Sequence, residues 1–142
     1  MKIRDREFNA ALAKMTGEGL ARAVQHYHTQ LRLAVNKPNS GVKQGAKRGE
    51  GGRFLKQKTT YPNPSKPGEP PRKRTGFGQN SIVREIDKKA MIARVGVTKA
   101  GIYMAYLDLG TKHIARRPFF EPVLRDNLQV MAALLKSGRS NP

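Results

Sequence analysis

Apolar residues recur at helical spacing through the first 35 positions of the chain. They form two stripes, which consist of Phe8, Leu12 and Met15, and then of Leu20, Val24, Tyr27 and Leu31. Because residues three and four apart share a face of a helix, each stripe predicts an amphipathic helical segment. Gly17 and Gly19 lie between the stripes and predict either a kink or two separate short helices.

The pattern changes in the second half of the chain. Two β-rich runs, 82–86 and 91–97, are separated by a short polar connection and therefore predict an antiparallel hairpin. The apolar stretch 102–109 predicts one or two helical turns that end at Gly110. An amphipathic pattern from Phe119 to about Lys136 predicts a last helix, with Pro118 at its start and Pro122 within its first turn.

These elements predict a single α+β domain over residues 1–142. It has an N-terminal helical region at 1–35, a basic arm at 36–76, and a small antiparallel sheet plus C-terminal helix at 77–136. Residues 137–142 are expected to form a frayed tail.

The predicted arm, residues 36–76, differs in composition from the rest of the chain. Its 41 positions carry eleven Lys and Arg against two Glu, a net charge of +9. Glycines at 41, 45, 49, 51 and 52 predict a flexible first half. Its second half contains Ser65–Gly76, called the strap below, with three prolines that favour an extended, stiff backbone. We expect the arm to be mobile when free and to take a fixed shape on a partner.

The whole chain is strongly basic, with 28 Lys and Arg against 10 Asp and Glu and a formal charge of +18. This charge indicates an anionic neighbour, either nucleic acid or an acidic protein surface. The cations predicted to contact it are Lys43, Lys47, Arg48, Arg53, Lys56, Lys58, Arg72, Lys73 and Arg74. The chain has no cysteine, no signal-peptide pattern and no apolar run long enough for a membrane span.

No arrangement typical of catalysis is found, so we expect neither an enzyme nor a cofactor or metal. His26 and His28 are two residues apart on a predicted helix and point to different faces. Asp108 and Glu121 flank the Gly110 turn, and with arginines beside them they are expected to form ion pairs. A phosphate-binding glycine loop followed by lysine and a hydroxyl is absent.

Three pieces of sequence occur in a distinctive order. They are the Pro67-Gly68-Glu69-Pro70-Pro71 run that leads to Thr75-Gly76, the segment Tyr103–Thr111, and the opening Arg117-Pro118-Phe119 of the last helix. Over about residues 60 to 135 this order resembles the neck and tail-completion proteins of long-tailed bacteriophages, which sit in the head–tail connection. Phe77-Gly78 stands where that family usually has an apolar–basic step, and the spacer 112–116 is short.

The resemblance implies a structural virion protein, assembled in the host cytoplasm and placed at the head–tail junction. It would form a sixfold or twelvefold ring around the DNA channel, next to head-completion or connector proteins and tail tube proteins. The residues that carry the resemblance are Pro67, Gly68, Pro70, Pro71, Thr75, Gly76, Tyr103, Tyr106, Asp108, Gly110, Thr111, Arg117, Pro118 and Phe119.

The alternative is a free, non-specific DNA-binding or packaging-associated protein. It would contact phosphates through the same cations, because no module that reads base sequence is recognisable. An enzyme of the lytic or nuclease kind would need a carboxylate or histidine cluster that only the fold could assemble.

Overall fold

The computed structural model describes residues 4–39, 41–43, 45, 47–56 and 59–137. Of the predicted tail 137–142, Ser137 instead ends the last helix, and residues 138–142 lie outside the described part of the chain. The elements in chain order are α1 (Arg6–Ala13), α2 (Gly17–Ala34), β1 (Val42–Lys43), β2 (Thr59–Thr60), α3 (Phe77–Ser81), β3 (Ile82–Asp87), β4 (Ile92–Val97), α4 (Tyr103–Leu109) and α5 (Phe120–Ser137). A 3₁₀ turn, Lys99–Gly101, precedes α4. The predicted α+β fold is confirmed.

The N-terminal region consists of two helices rather than one kinked helix. The Asp5 carboxylate accepts the N–H of Phe8 at 2.7 Å and caps α1, and the Thr16 hydroxyl accepts the N–H of Gly19 at 3.1 Å and caps α2. The glycines belong to the first turn of α2. A Cβ at Gly19 would lie 2.3 Å from the Leu135 carbonyl oxygen, so glycine allows α2 to approach α5 closely.

The core lies where α2 packs against α5. Leu31 and Leu135 are among its fully buried side chains. The Tyr27 hydroxyl crosses this contact and donates to the carbonyl of Phe120 at 2.8 Å. Because its ring is buried, the pKa of Tyr27 is raised well above its usual range. The apolar stripe of α2 therefore faces that of α5, and the two helices bury a shared apolar surface.

The predicted hairpin is confirmed, with β3 and β4 antiparallel and Arg84 paired with Val95. One face packs on α2, where Ile82 is buried. His28 fixes this contact: its Nε2 lies 2.9 Å from the Ile82 carbonyl, and its Nδ1 lies 3.1 Å from an Arg84 guanidinium nitrogen. A carbonyl on one ring nitrogen and a guanidinium on the other require a neutral ring that donates from Nε2 and accepts at Nδ1.

The segment between α4 and α5 is held by one carboxylate. Asp108 Oδ1 accepts the N–H groups of Phe119 and Phe120 at 2.8 and 3.0 Å, and so caps α5 from eleven and twelve residues upstream. Gly110 ends α4 with φ of +76°, a conformation that favours glycine. The last helix begins at Phe120, two residues after the proline predicted to start it.

Among the residues that the structure describes, an ion pair is found for Glu121 but not for Asp108. Glu121 lies 3.8 Å from Arg116 and also pairs with Arg125. Asp108 instead uses its carboxylate as a helix cap, because the turn after Gly110 returns the chain to the carboxyl end of α4.

Replacing Asp108 with alanine is expected to lower the free energy of unfolding by about 1–2 kcal/mol, because two N–H groups of α5 lose their acceptor. Asp108→Asn keeps an acceptor oxygen and should lose less. Urea denaturation followed by circular dichroism measures both variants. Equal stability of the alanine variant and the parent protein would show that the cap is not used in solution.

Candidate interaction surface

The strap lies against the body of its own chain. The N–H of Lys73 donates to the carbonyl of Lys37, and the N–H of Asn39 donates to the carbonyl of Lys73, both at 2.8 Å. Further along, the N–H of Gly68 donates to the carbonyl of Arg116 at 2.9 Å. This differs from the expectation that all of 36–76 takes a fixed shape only on a partner. These backbone hydrogen bonds join the strap to the residues that follow α2 and to those that precede α5. They hold the strap against its own chain.

Asn39 holds the residues that lead into the strap. It is only 2 % exposed, and its Oδ1 accepts the N–H of Asn63 at 3.0 Å. In the sequence, an asparagine in a Pro-Asn-Ser run indicates a turn. Nothing in that run indicates that the asparagine is buried and accepts a hydrogen bond from a distant segment.

The first half of the predicted arm forms a two-stranded ribbon. We call residues 41–60 the cationic ribbon; the structure describes its residues 41–43, 45, 47–56 and 59–60. In it β1 and β2 pair antiparallel, and beyond them the N–H of Leu55 donates to the carbonyl of Lys47 and the N–H of Gly49 to the carbonyl of Arg53, each at 2.9 Å. Gly51 and Gly52 turn the chain with positive φ. Two of the glycines that predicted flexibility, Gly51 and Gly52, thus form the turn of this ribbon.

Four of the predicted contact cations lie exposed on this ribbon: Lys47, Arg48, Arg53 and Lys56. The Arg48 guanidinium lies over the Phe54 ring, 5.1 Å from its centroid. Phe54 itself is 69 % exposed and Leu55 is 54 % exposed. Lys43 lies in β1 by its backbone, and Lys58 lies outside the described residues. The ribbon therefore presents positive charge and large apolar side chains together.

The three predicted contact cations of the strap are engaged with their own chain. Arg72 lies 3.8 Å from the Glu69 carboxylate, and the Lys73 ammonium donates to the Asn36 side chain at 3.3 Å. The Arg74 guanidinium stacks over the Tyr61 ring at 4.3 Å. Arg72, Lys73 and Arg74 are thus more constrained than the cations of the ribbon.

The three pieces of sequence that carry the family resemblance meet in one place. Arg117 joins them: its N–H donates to the carbonyl of Leu107 at 2.6 Å, and its guanidinium donates to the carbonyl of Ser65 at 3.2 Å. Within the strap, Pro71 is buried, while Gly68 and Gly76 adopt positive φ. The motif is therefore a structural junction between the strap, α4 and the start of α5.

Several aromatic residues near this junction remain exposed. Tyr103 and Tyr106, two residues that carry the resemblance, are 43 % and 48 % exposed. Phe77 stacks on Tyr103 with ring centroids 6.3 Å apart, and partial burial raises the pKa of the Tyr103 hydroxyl. We call this surface the aromatic face; its members are Phe77, Ile102, Tyr103, Tyr106 and Leu109.

Within the part of the chain that the structure describes, no group of three or more His, Cys, Asp or Glu side chains is placed to hold a metal ion. His26 lies 2.9 Å from the Asn127 side chain, across the α2–α5 contact. The described helices include none long and apolar enough to cross a bilayer.

Known proteins give no independent identification. No family model, no curated protein and no solved structure matches this chain. The cationic ribbon, the aromatic face and the junction are therefore the features of the chain that bear on its function.

Proposed function

We propose that this chain is a structural protein of the tailed-phage neck, a ring subunit that joins the head connector to the tail around the DNA channel. The resemblance supports this proposal because its three pieces form one physical unit. The strap, the tyrosine-containing helix and the Arg-Pro-Phe opening hold each other through Arg117 and Asp108. Pieces of sequence that contact one another in the structure are expected to occur together in proteins that share the fold.

The observation that carries the proposal is the cationic ribbon, which projects exposed Phe54 and Leu55 beside four exposed cations. Large apolar side chains exposed together indicate a contact surface, since a protein that needs only solubility keeps them apart or covered. The aromatic face offers a second, different surface. Two unlike surfaces on one subunit allow head-to-tail contacts, and such contacts close into rings when the rotation between subunits permits it.

One observation favours the alternative, a free DNA-binding protein. A two-stranded ribbon has the width that the major groove of B-form DNA admits, and this ribbon carries four exposed cations. Phosphate contacts of this kind would give affinity without sequence specificity. The neck proposal explains the apolar side chains of the ribbon and the aromatic face as well, which DNA binding alone does not.

The two functions differ in the state of the purified chain. Light scattering coupled to size exclusion should detect discrete rings, and the double variant Phe54→Ser, Leu55→Ser should shift the protein to monomer with unchanged circular dichroism. A matched control, Val83→Ser with Ile92→Ser, removes two exposed apolar side chains from the outer face of the hairpin and should leave the rings intact. A monomer that binds random duplex DNA tightly in a gel shift would contradict the neck proposal and support the alternative.

A further inference from the structure

A cavity of about 330 Å³ lies between the strap and α4. Four cations line it, Arg72, Lys73, Arg74 and Arg117, and none of the described residues in its wall is acidic. Among the described residues, the one carboxylate paired with these cations is that of Glu69, which lies outside the wall. The cavity is therefore a concentrated positive site that the fold itself creates, because strap and α5 entry bring together cations 43 or more residues apart in sequence.

Arg117 is a fixed cation in the wall of the cavity. Its guanidinium donates to the Ser65 carbonyl through Nη2, and its Nε is buried and has no hydrogen-bond partner among the described residues. Because Nε is shielded from the cavity space, a ligand there would meet the charge of the guanidinium rather than this N–H, and arginine forms its strongest hydrogen bonds with anions. The backbone holds this side chain in place, since the N–H of Arg117 donates to the carbonyl of Leu107.

Apolar side chains form part of the rest of the wall, beside the uncharged polar residues Asn39, Ser65, Thr75 and Gln79. The apolar residues are Val35, Pro71, Met104 and Leu107, and Tyr103 also lines the cavity. The cavity volume of about 330 Å³ lies within the range of about 300–1,000 Å³ that is typical of pockets for small organic molecules. Pockets that combine an apolar wall with a few convergent polar groups bind small organic molecules.

We propose that this cavity binds a small organic phosphate of nucleotide size, with the phosphate at Arg117 and Lys73 and the organic body against Met104 and Leu107. Arginine and lysine are the side chains best suited to phosphate, through bidentate hydrogen bonds and through charge. The ligand would also relieve the repulsion among four neighbouring cations. A failure of this inference would leave the neck proposal standing, because the exposed side chains of the ribbon that carry that proposal do not line the cavity.

Isothermal titration calorimetry of the full chain at low salt tests the proposal with deoxyadenosine monophosphate as the probe. We expect one site per chain, with weaker binding of both inorganic phosphate and uncharged deoxyadenosine. If inorganic phosphate binds as tightly as the nucleotide, the apolar wall contributes nothing and the proposal is wrong. If deoxyadenosine binds as tightly, the cations contribute nothing and the proposal is equally wrong.

Variants locate the site. Lys73→Gln should weaken nucleotide binding by about tenfold or more, because a charged hydrogen bond to phosphate is lost, and Lys73→Arg should restore part of it. Lys89→Gln removes the same charge from the hairpin turn, which lies outside the cavity wall, and should change the affinity by less than about twofold. Equal losses in the two glutamine variants would mean that the nucleotide responds to overall charge, and would overturn the proposal.

The same phosphate chemistry has two sources, a free mononucleotide and the end of a DNA strand. A duplex with terminal phosphates should displace the mononucleotide better than the same duplex with terminal hydroxyls if the strand end is the natural ligand. Equal displacement by the two duplexes assigns the site to the free nucleotide.

Discussion

Replacing Phe119 with alanine is expected to lower the free energy of unfolding by about 3–5 kcal/mol. Phe119 is fully buried, and its ring packs against that of Phe120 with centroids 4.6 Å apart. Its N–H is also one of the two groups that Asp108 caps, so the side chain and backbone of this residue fix the entry to α5 together. The loss is large against a total stability of about 5–15 kcal/mol for a domain of ordinary size.

Urea denaturation of the full chain measures this effect, with Phe54→Ala as the matched control. Phe54 is 69 % exposed, so its truncation should change the stability by no more than about 0.5 kcal/mol. A Phe119→Ala variant within about 1 kcal/mol of the parent protein would show that α5 does not depend on the junction described above.

Neutralising the cationic ribbon should reduce binding to a polyanion while leaving the fold intact. The variant replaces Lys47, Arg48, Arg53 and Lys56 with glutamine, all four of which are exposed. Random-sequence duplex DNA serves as the polyanion. Loss of four phosphate contacts should make the negative slope of log affinity against log salt less steep by about 3 to 4 units. Fluorescence anisotropy over a series of salt concentrations gives the slope.

The control for this variant removes four exposed lysines of the body, Lys14, Lys89, Lys99 and Lys112. It has the same net charge as the ribbon variant but should keep most of the slope, because these lysines are distributed over the surface and do not share one contact. If both variants lower the slope equally, the ribbon is not the contact element and the basic charge acts as a whole. Unfolding of the ribbon variant at ordinary temperature would contradict its description as an exposed projection.

The elements of the body could be predicted from sequence because each depends on local pattern. The stripe through Leu20 and Leu31, the two β-rich runs and the apolar set after Phe119 encode helix and strand by periodicity alone. Their mutual packing follows, since an amphipathic helix must bury its apolar face. Asp108 could not be predicted as a cap, because it serves a helix that begins twelve residues later.

The structure of the basic segment was the least predictable part. Its glycines and prolines indicate turns and extended backbone, but they do not tell which part of the chain the segment contacts. The pairing of Lys73 with Pro38 and Asn39, and the burial of Asn39, are long-range contacts with no periodic signal. Sequence alone therefore treats ribbon and strap as one arm, whereas the structure separates an exposed ribbon from a docked strap.

The cavity likewise depends on contacts that no local pattern encodes. Arg72, Lys73 and Arg74 read as one basic cluster in the sequence, and Arg117 as part of the Arg-Pro-Phe opening. Only the docking of the strap brings the two groups of cations around the same space. A candidate site of this kind can be found from the fold but not from the motif.

Cryo-electron microscopy of particles assembled by the system that encodes this chain is the decisive test of the proposed neck role. We expect a ring of this protein at a head–tail junction, in which residues 41–60 of each copy contact a neighbouring subunit or the DNA. Particles that lack this protein, or a ring in which every ribbon faces bulk solvent without a contact, would refute the neck proposal.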